Sequence, residues 1–227
     1  MIGAVGNSRR QPVENVHSTP AVGMANLGVM PDPSLKILAV SGSLHGSSVT
    51  RTVVCQIAEQ LRTAGGEVDM LDLAKEFLPL YNPDTAADQP GFPALQARVE
   101  CADVLILGTP DYHGSISSAL KNFLDHFWHE FAGKLFATVV ASHEKGLTVT
   151  DQLRTVARQC YAWTLPYGVS FMEKSDVKDG QIVSDALKKR IAMLARDVRV
   201  YGGLLAQQRA ADLAGNDPGF LERWRKP

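Results

Sequence analysis

Residues 36–51 read KILAVSGSLHGSSVTR, and the order of residue types in that stretch sets the architecture. Ile37-Leu38-Ala39-Val40 is an unbroken apolar run, the pattern of a strand buried on both faces in a parallel sheet. Small residues follow: Ser41, Gly42 and Ser43, then Gly46, Ser47 and Ser48. Val53, Val54, Ile57, Ala58 and Leu61 then fall on one side of a 3.6-residue repeat that Gly65-Gly66 closes. A strand, a hydroxyl-rich glycine turn and a helix are how an α/β protein presents backbone N–H groups and a helix N-terminus to an anion. The loop has neither the P-loop spacing of a lysine before Ser/Thr nor a G-x-G-x-x-G run. The hydroxyls of Ser43, Ser48 and Thr50 would therefore do more of the holding. The same residues also suit a tight βα turn whose serines only cap a helix.

The strand-then-loop pattern recurs twice. Val104-Leu105-Ile106-Leu107-Gly108 is a second uninterrupted apolar strand, ending in Thr109-Pro110-Asp111-Tyr112-His113-Gly114-Ser115. A helix over 116–131 is expected to follow, carrying Ile116, Leu120, Phe123, Leu124, Phe127 and Phe131. Leu135–Ala141 is a third strand, ending in Ser142-His143-Glu144-Lys145-Gly146. Between the first two, Glu67–Leu71 alternates as a strand, and Pro93 opens a short helix to Ala102. Residues 74–92 form a long Pro- and Asp-rich connection whose Phe77 and Tyr81 either fold over a neighbouring site or pack on its rim. A helix over Val149–Ala162, a strand-like Leu165–Phe171 and a polar hairpin or turn at Glu173–Gln181 complete the series. Ser184 then caps a final helix with Leu187, Ile191, Leu194, Val198, Tyr201 and Leu205 at spacings of four and three.

Five strands alternating with helices predict a doubly wound α/β fold, a five-stranded parallel sheet in the order 2-1-3-4-5. The first two loops then meet at the switch between strands 1 and 3, where open α/β sheets bind ligands. With 227 residues, 45% of them hydrophobic, the chain suits one such domain. The expected division is a disordered tail over 1–34, the domain over 35–209 and a surface arm over 210–227. Ser8-Arg9-Arg10 before the mildly apolar Ala21–Met30 has the outline of a twin-arginine export signal. Pro12, Glu14 and Asn26 interrupt it and no small-residue cleavage site follows, so a cytoplasmic protein is expected. Met24 and Met30 are alternative starts of translation.

A formal net charge of −1 provides no global field for nucleic acid or a membrane surface, and neither is expected as a partner. Cys55, Cys101 and Cys160 are scattered without a C-x-x-C, which argues against a disulfide framework, a zinc site or an iron–sulfur cluster. His126, His129 and Glu130 lie within a turn and a half, but H-E-x-x-H fails at Gly133, and no metal site is expected. No G-x-S-x-G marks a serine hydrolase.

Two motifs carry a family resemblance. GSLHGSSVTR resembles the flavin-phosphate loop of the NADPH-dependent FMN reductases, a flavodoxin-like group with the pattern G-S-x-R-x-x-S-x-[NT]. TPDYHGSISSALKNFLD is similar to that family's T-P-E-Y-N-G-S-[IY]-P-G-x-L-K-N-x-[IL]-D signature. The resemblance implies that Ser43, His45, Ser48 and Thr50 surround the FMN phosphate. It implies that Pro110, Asp111, Tyr112, His113 and Gly114 line the isoalloxazine, and that Ser142 and Gly146 approach its far side. It implies hydride transfer from NADPH or NADH to FMN and onward to free flavin, a quinone or another small oxidant, with no catalytic side chain of its own. It also implies a homodimer or homotetramer, and the aromatic helix 116–131 is the expected contact. His45 replaces the family's usual Arg, His113 its usual Asn, and the third loop lacks the usual glycine-rich run. A flavodoxin-type electron carrier would be smaller and more acidic. A non-catalytic phosphate- or flavin-binding module would leave Tyr112 and the second loop unexplained.

Overall fold

The protein is seen in a computed structural model, which describes residues 34–144 and 146–225. The expectations for the N-terminal tail, the export signal and the start of translation fall on residues outside that range, as does Lys145 of the third loop. Chain order gives β1 (Lys36–Ser41), α1 (Val49–Thr63), β2 (Glu67–Asp72), α2 (Phe92–Cys101), β3 (Val104–Pro110) and α3 (Ser118–Asp125). There follow β4 (Leu135–Ser142), α4 (Leu147–Gln159), β5 (Trp163–Thr164), β6 (Val169–Met172), the short α5 (Glu173–Asp176), a β7–β8 hairpin (Val177–Lys178 and Gln181–Ile182) and α6 (Asp185–Ala214).

The strands lie in the order β2-β1-β3-β4, with β5 and β6 both parallel to β4 on its far side, and every pairing in this sheet is parallel. The expected order 2-1-3-4-5 is therefore present, with its fifth position split between two short strands. Pro166 has no N–H to donate to a ladder. A Cβ at Gly168 would come within 2.3 Å of Thr138 Oγ1, so the chain there presses close against β4.

Alternate residues of each central strand feed opposite cores. Ile37, Ala39, Val104, Ile106, Ala137 and Val139 pack with Val53, Ile57, Leu61, Leu187, Ile191 and Leu194 of α1 and α6. Leu38, Val40, Leu105, Leu107 and Phe136 pack with Leu95, Val99, Leu120, Phe123 and Leu153 of α2, α3 and α4. This is why the strands read as continuous apolar runs: each has a helix layer on both sides. The final helix starts as its sequence predicts, with Ser184 Oγ accepting from Leu187 N. Asp179 and Gly180, both at positive φ, make the tight β7–β8 turn.

The helix expected over 116–131 is shorter. α3 ends at Asp125, and His129–Phe131 forms a single 3-10 turn. The buried carboxylate of Glu130 accepts from Trp128 N at 3.1 Å and from Gln96 Nε2 at 3.0 Å, competing with the helical partner of that N–H. The aromatic excess is also smaller than expected. Phe123, Phe127 and Phe131 are buried among Phe92 and Phe136, and only Trp128 of this stretch's aromatics stays exposed. The long connection takes the rim: Asn122 accepts from Tyr81 N at 2.7 Å and donates to Leu78 O and Pro79 O, pinning it along α3.

At the far end, α6 runs on to Ala214, and the following chain turns back over the β5 side. Phe220 and Trp224 pack on Tyr161, Phe220 meets Trp163 edge-on, and Leu221 is buried. This covers an edge strand that would otherwise be open to pairing.

Lys134, at the start of β4, is buried and donates to the last carbonyls of α2 at Val99 and Glu100. Burial, with the Arg209 cation nearby, pushes its ammonium down to about 7. The unfolded chain, with an ordinary lysine near 10.4, then binds more protons than the folded one between these two values. Stability from this group should accordingly rise as pH increases from about 7 towards 10. Urea unfolding at several pH values should show that slope, and Lys134→Met should flatten it.

Candidate functional site

β1, β3 and β4 all end at one edge of the sheet, at Ser41, Pro110 and Ser142. The loops that leave them are held together by backbone contact. Gly42 N donates to Gly108 O at 2.8 Å, and a Cβ on Gly42 would lie 2.8 Å from that oxygen and from Leu120 Cβ. Ser117 joins the two loops: its Oγ donates to Gly42 O at 2.6 Å and accepts from Leu120 N at 3.1 Å, capping α3. Its N–H donates to Thr109 Oγ1 at 2.9 Å.

In the first loop Ser48 is the N-cap of α1, accepting from Arg51 N at 3.1 Å. Ser43, Ser48 and Thr50 are buried, while His45, Gly46 and Ser47 are exposed. Ser43 Oγ accepts from His45 N at 3.4 Å, and His45 Nδ1 accepts from Ser47 N at 3.2 Å. Behind the loop, Arg51 donates to Gly46 O (3.1 Å) and His45 O (3.4 Å), and its Nε pairs with Asp72 Oδ2 at 2.8 Å. Asp72 sits at the carboxyl end of β2 and also accepts from Ala74 N. The arginine of this loop is thus a brace for its carbonyls, tied to a carboxylate.

The second loop turns at Tyr112–Ser115, whose N–H and C=O groups pair reciprocally at 3.0 and 3.1 Å. His113 (φ 57°) and Gly114 (φ 75°) are both left-handed, a type I′ turn. Histidine, like asparagine, is enriched in this conformation among non-glycine residues, so it can stand where the resembling family has Asn. Asp111 locks the turn: its Oδ1 accepts from Gly114 N and its Oδ2 from Ser142 Oγ, each at 2.8 Å. Gln152 of α4 accepts from Ser115 Oγ and Ile116 N on the other side. In the third loop, Gly146 (φ 58°) starts α4, and a Cβ there would lie 2.8 Å from Val140 Cγ1.

Two clefts open along this edge. One, of about 140 Å³, is lined by Ser43, His45, Ser48, Thr50, Pro110, Asp111, Tyr112, Ser142, His143 and Glu173 among others. The other, of about 780 Å³, is lined by Asp111, His113, Gly114, Ser142, His143, Gly146 and Met172 among others. They share Asp111, Ser142 and His143. All eleven residues singled out in the sequence therefore line this pair of clefts. Both carboxylate oxygens of Asp111 are already engaged by the loops. Sequence reasoning gave no role to Arg51, Asp72, Ser117, Gln152 or Glu173. The signals for the first two were a basic residue in the first turn after a serine cap and an acidic residue ending a strand. Nothing local marked the others.

The sequence profile described as NADPH-dependent FMN reductase matches residues 35–176. An NADPH azoreductase of Bacillus sp. (strain OY1-2) is 31% identical over 171 residues, 74% of this chain and 92% of its own. An FMN-dependent NADPH-azoreductase of Staphylococcus aureus is 35% identical over 155 residues, 64% of this chain and 81% of its own. Among solved structures, an apo NADH:FMN oxidoreductase superposes with a TM-score of 0.63 at 18% identity, covering 74% of this chain and 90% of that one. A flavoenzyme NAD(P)H:acceptor oxidoreductase from Paracoccus denitrificans gives 0.57 at 22% identity, covering 76% and 98%. At these identities the structural likeness speaks for the fold.

The left-handed turn makes a stability prediction. His113→Asn or His113→Gly should match the parent or exceed it by up to about 1 kcal/mol. His113→Val, with a branched Cβ forced to positive φ, should lose about 1–2 kcal/mol. Thermal unfolding of the three variants checks the order.

Proposed function

As a member of the NADPH-dependent FMN reductase family, the chain is an NAD(P)H-dependent oxidoreductase that works with FMN, and we propose that the paired clefts at the sheet edge are its FMN site. The observation that carries this reading is that three loops converge there with buried hydroxyls, a helix N-terminus and a glycine-fitted floor. These features fit a phosphate-bearing flat ring. Ser43, Ser48 and Thr50 offer hydroxyls to the phosphate, and α1 offers the first-turn N–H groups of Val49 and Thr50, which a helix leaves without internal acceptors. Pro110, Tyr112, His113 and Gly114 present one wall for the ring, with Ser142 and Gly146 opposite.

When bound, FMN would supply the two-electron chemistry between the reduced nicotinamide and a small acceptor. The protein's own part is position. Asp111 holds the Tyr112–Ser115 turn against Ser142, so the wall keeps its shape while one substrate replaces another. In the electron transfer itself no side chain has a proton-transfer or covalent role. The acceptor class we propose is free flavin, a quinone or an azo compound, the last because relatives are named azoreductases. No helix of the described residues is long and apolar enough to cross a membrane. We place the protein in the cytoplasm, consistent with its three free thiols.

We further propose that a second copy of the chain covers an apolar hollow beside the first loop, giving a homodimer that can pair into a tetramer. Leu44, Phe77 and Leu80 are exposed there around about 180 Å³ lined also by Leu73, Leu78 and Ala119.

Purified protein should quench FMN fluorescence on titration. It should oxidise NADPH or NADH with FMN and a quinone, giving parallel double-reciprocal lines. FMN binding without turnover above that of free flavin would favour an electron carrier, and an absence of FMN binding would remove the reading altogether. Light scattering at micromolar concentration should give a dimer or tetramer, and Phe77→Ser with Leu80→Ser should shift it towards monomer. A monomeric parent protein rejects the assembly.

A further inference from the structure

Resting on the FMN reading, we propose that His45 and Ser47 form a proton-gated latch at the phosphate end of the cleft: a phosphate closes on it only as His45 takes up a proton. The argument starts from the hydrogen bond between Ser47 N and His45 Nδ1 at 3.2 Å. A backbone N–H can only donate, so Nδ1 must accept, and the ring in this arrangement is the neutral imidazole. Ser47 Oγ lies 3.2 Å from the same nitrogen, so the serine turns both of its polar groups to the ring. The result is a closed turn over residues 45–47, with His45 N in turn donating to Ser43 Oγ.

This turn faces the cleft that holds Ser43, Ser48 and Thr50, yet in its closed form it withholds two donors from an anion. Protonation of Nδ1 removes the acceptor. Ser47 N–H and Nδ1–H then oppose each other, Ser47 Oγ is the one acceptor of the turn left beside the ring, and a phosphate dianion is the outside partner that takes both donors when the turn opens. No other cation stands ready to do this from the same loop. Arg51 is bound to the carbonyls of residues 45 and 46 and to Asp72, and it does not line the phosphate cleft. Among the described residues, the further titratable groups facing this cleft are His143 after β4, Asp111 and Tyr112 after β3, and Glu173 of α5. Asp111 is engaged by Gly114 N and Ser142 Oγ, and Glu173 carries the wrong charge for an anion. An arginine at position 45 would offer donors at any working pH. Histidine makes the same contact conditional, and it makes recognition of the phosphorylated flavin over the bare one conditional too.

The test is calorimetric titration of the purified full-length chain with FMN and with riboflavin at pH 7.5, in two buffers of small and large ionisation enthalpy. At that pH an ordinary imidazole is mostly neutral, with a pKa of about 6.5. The phosphate, with its second pKa near 6, is mostly dianionic, so any net uptake belongs to the protein. FMN should bind with uptake of roughly half a proton or more per site, and riboflavin with none. By linkage, log Kd for FMN should rise with pH at a slope equal to the calorimetric uptake. His45→Asn keeps a side-chain acceptor for Ser47 N but cannot be protonated. It should still bind FMN, with the uptake gone and the pH profile flat, and His45→Arg should bind more tightly with an equally flat profile. FMN binding by the parent without uptake, or the same uptake in His45→Asn or with riboflavin, overturns the latch and leaves the FMN site standing. Failure of the parent to bind FMN at all overturns both.

Discussion

The ends of β1 and β3 are joined by glycine. Gly42 N reaches Gly108 O at 2.8 Å, and neither residue has room for a side chain: a Cβ on Gly108 would meet Val54 Cγ2 at 2.4 Å. Only because these backbones touch can Ser117 reach from the start of α3 to Gly42 O and tie the first two loops into one surface. Adding a methyl group at either position would have to move a strand end or a helix, and packed interiors resist such shifts at a cost of about 1–3 kcal/mol. The paired clefts at the sheet edge are built outward from that junction.

Charge is used in this site mostly to hold loops. Arg51 and Asp72 form a largely buried pair, and the remaining donors of Arg51 satisfy the first loop's carbonyls. Asp111 spends both oxygens on the second and third loops. The consequence is a cleft that is shaped by ions but not strongly charged. What the cleft presents is hydroxyls, N–H groups and the N-terminus of α1, which are directional and depend on the loops staying in place. The long connection obeys the same economy, since one residue, Asn122, fixes Leu78, Pro79 and Tyr81 together.

Elsewhere the chain closes its exposed edges. The segment after α6 lays Phe220, Leu221 and Trp224 over Tyr161 and Trp163 at the β5 side. Arg223 lies between Tyr161 and Trp224, 5.3 Å from each ring centre, and keeps this aromatic patch solvated at its rim. The opposite region, around Leu44, Phe77 and Leu80, has no such cover within the described chain. One region is therefore covered by its own chain, and the other leaves large apolar side chains exposed.

Periodicity and punctuation determined the sheet order, the helix layers and the positions of the three loops, because a strand buried on both faces cannot be written without a continuous apolar run. The caps at Ser48 and Ser184 were equally legible, being local interactions between neighbours in the chain. What the sequence could not decide were contacts between residues far apart in it. The break in the helix after Asp125 depends on Glu130 capturing Trp128 N with Gln96 beside it, a competition invisible to helical spacing. The split at β5 and β6 depends on how closely Gly168 approaches Thr138. The hydrogen bonds of Asp111 and Arg51 could not be read from their own loops for the same reason: partners at Ser142 and Asp72, 31 and 21 residues away, claim them. Local chemistry named the residues that line the clefts, and only the packing of distant strands showed which of them are held by partners in neighbouring loops.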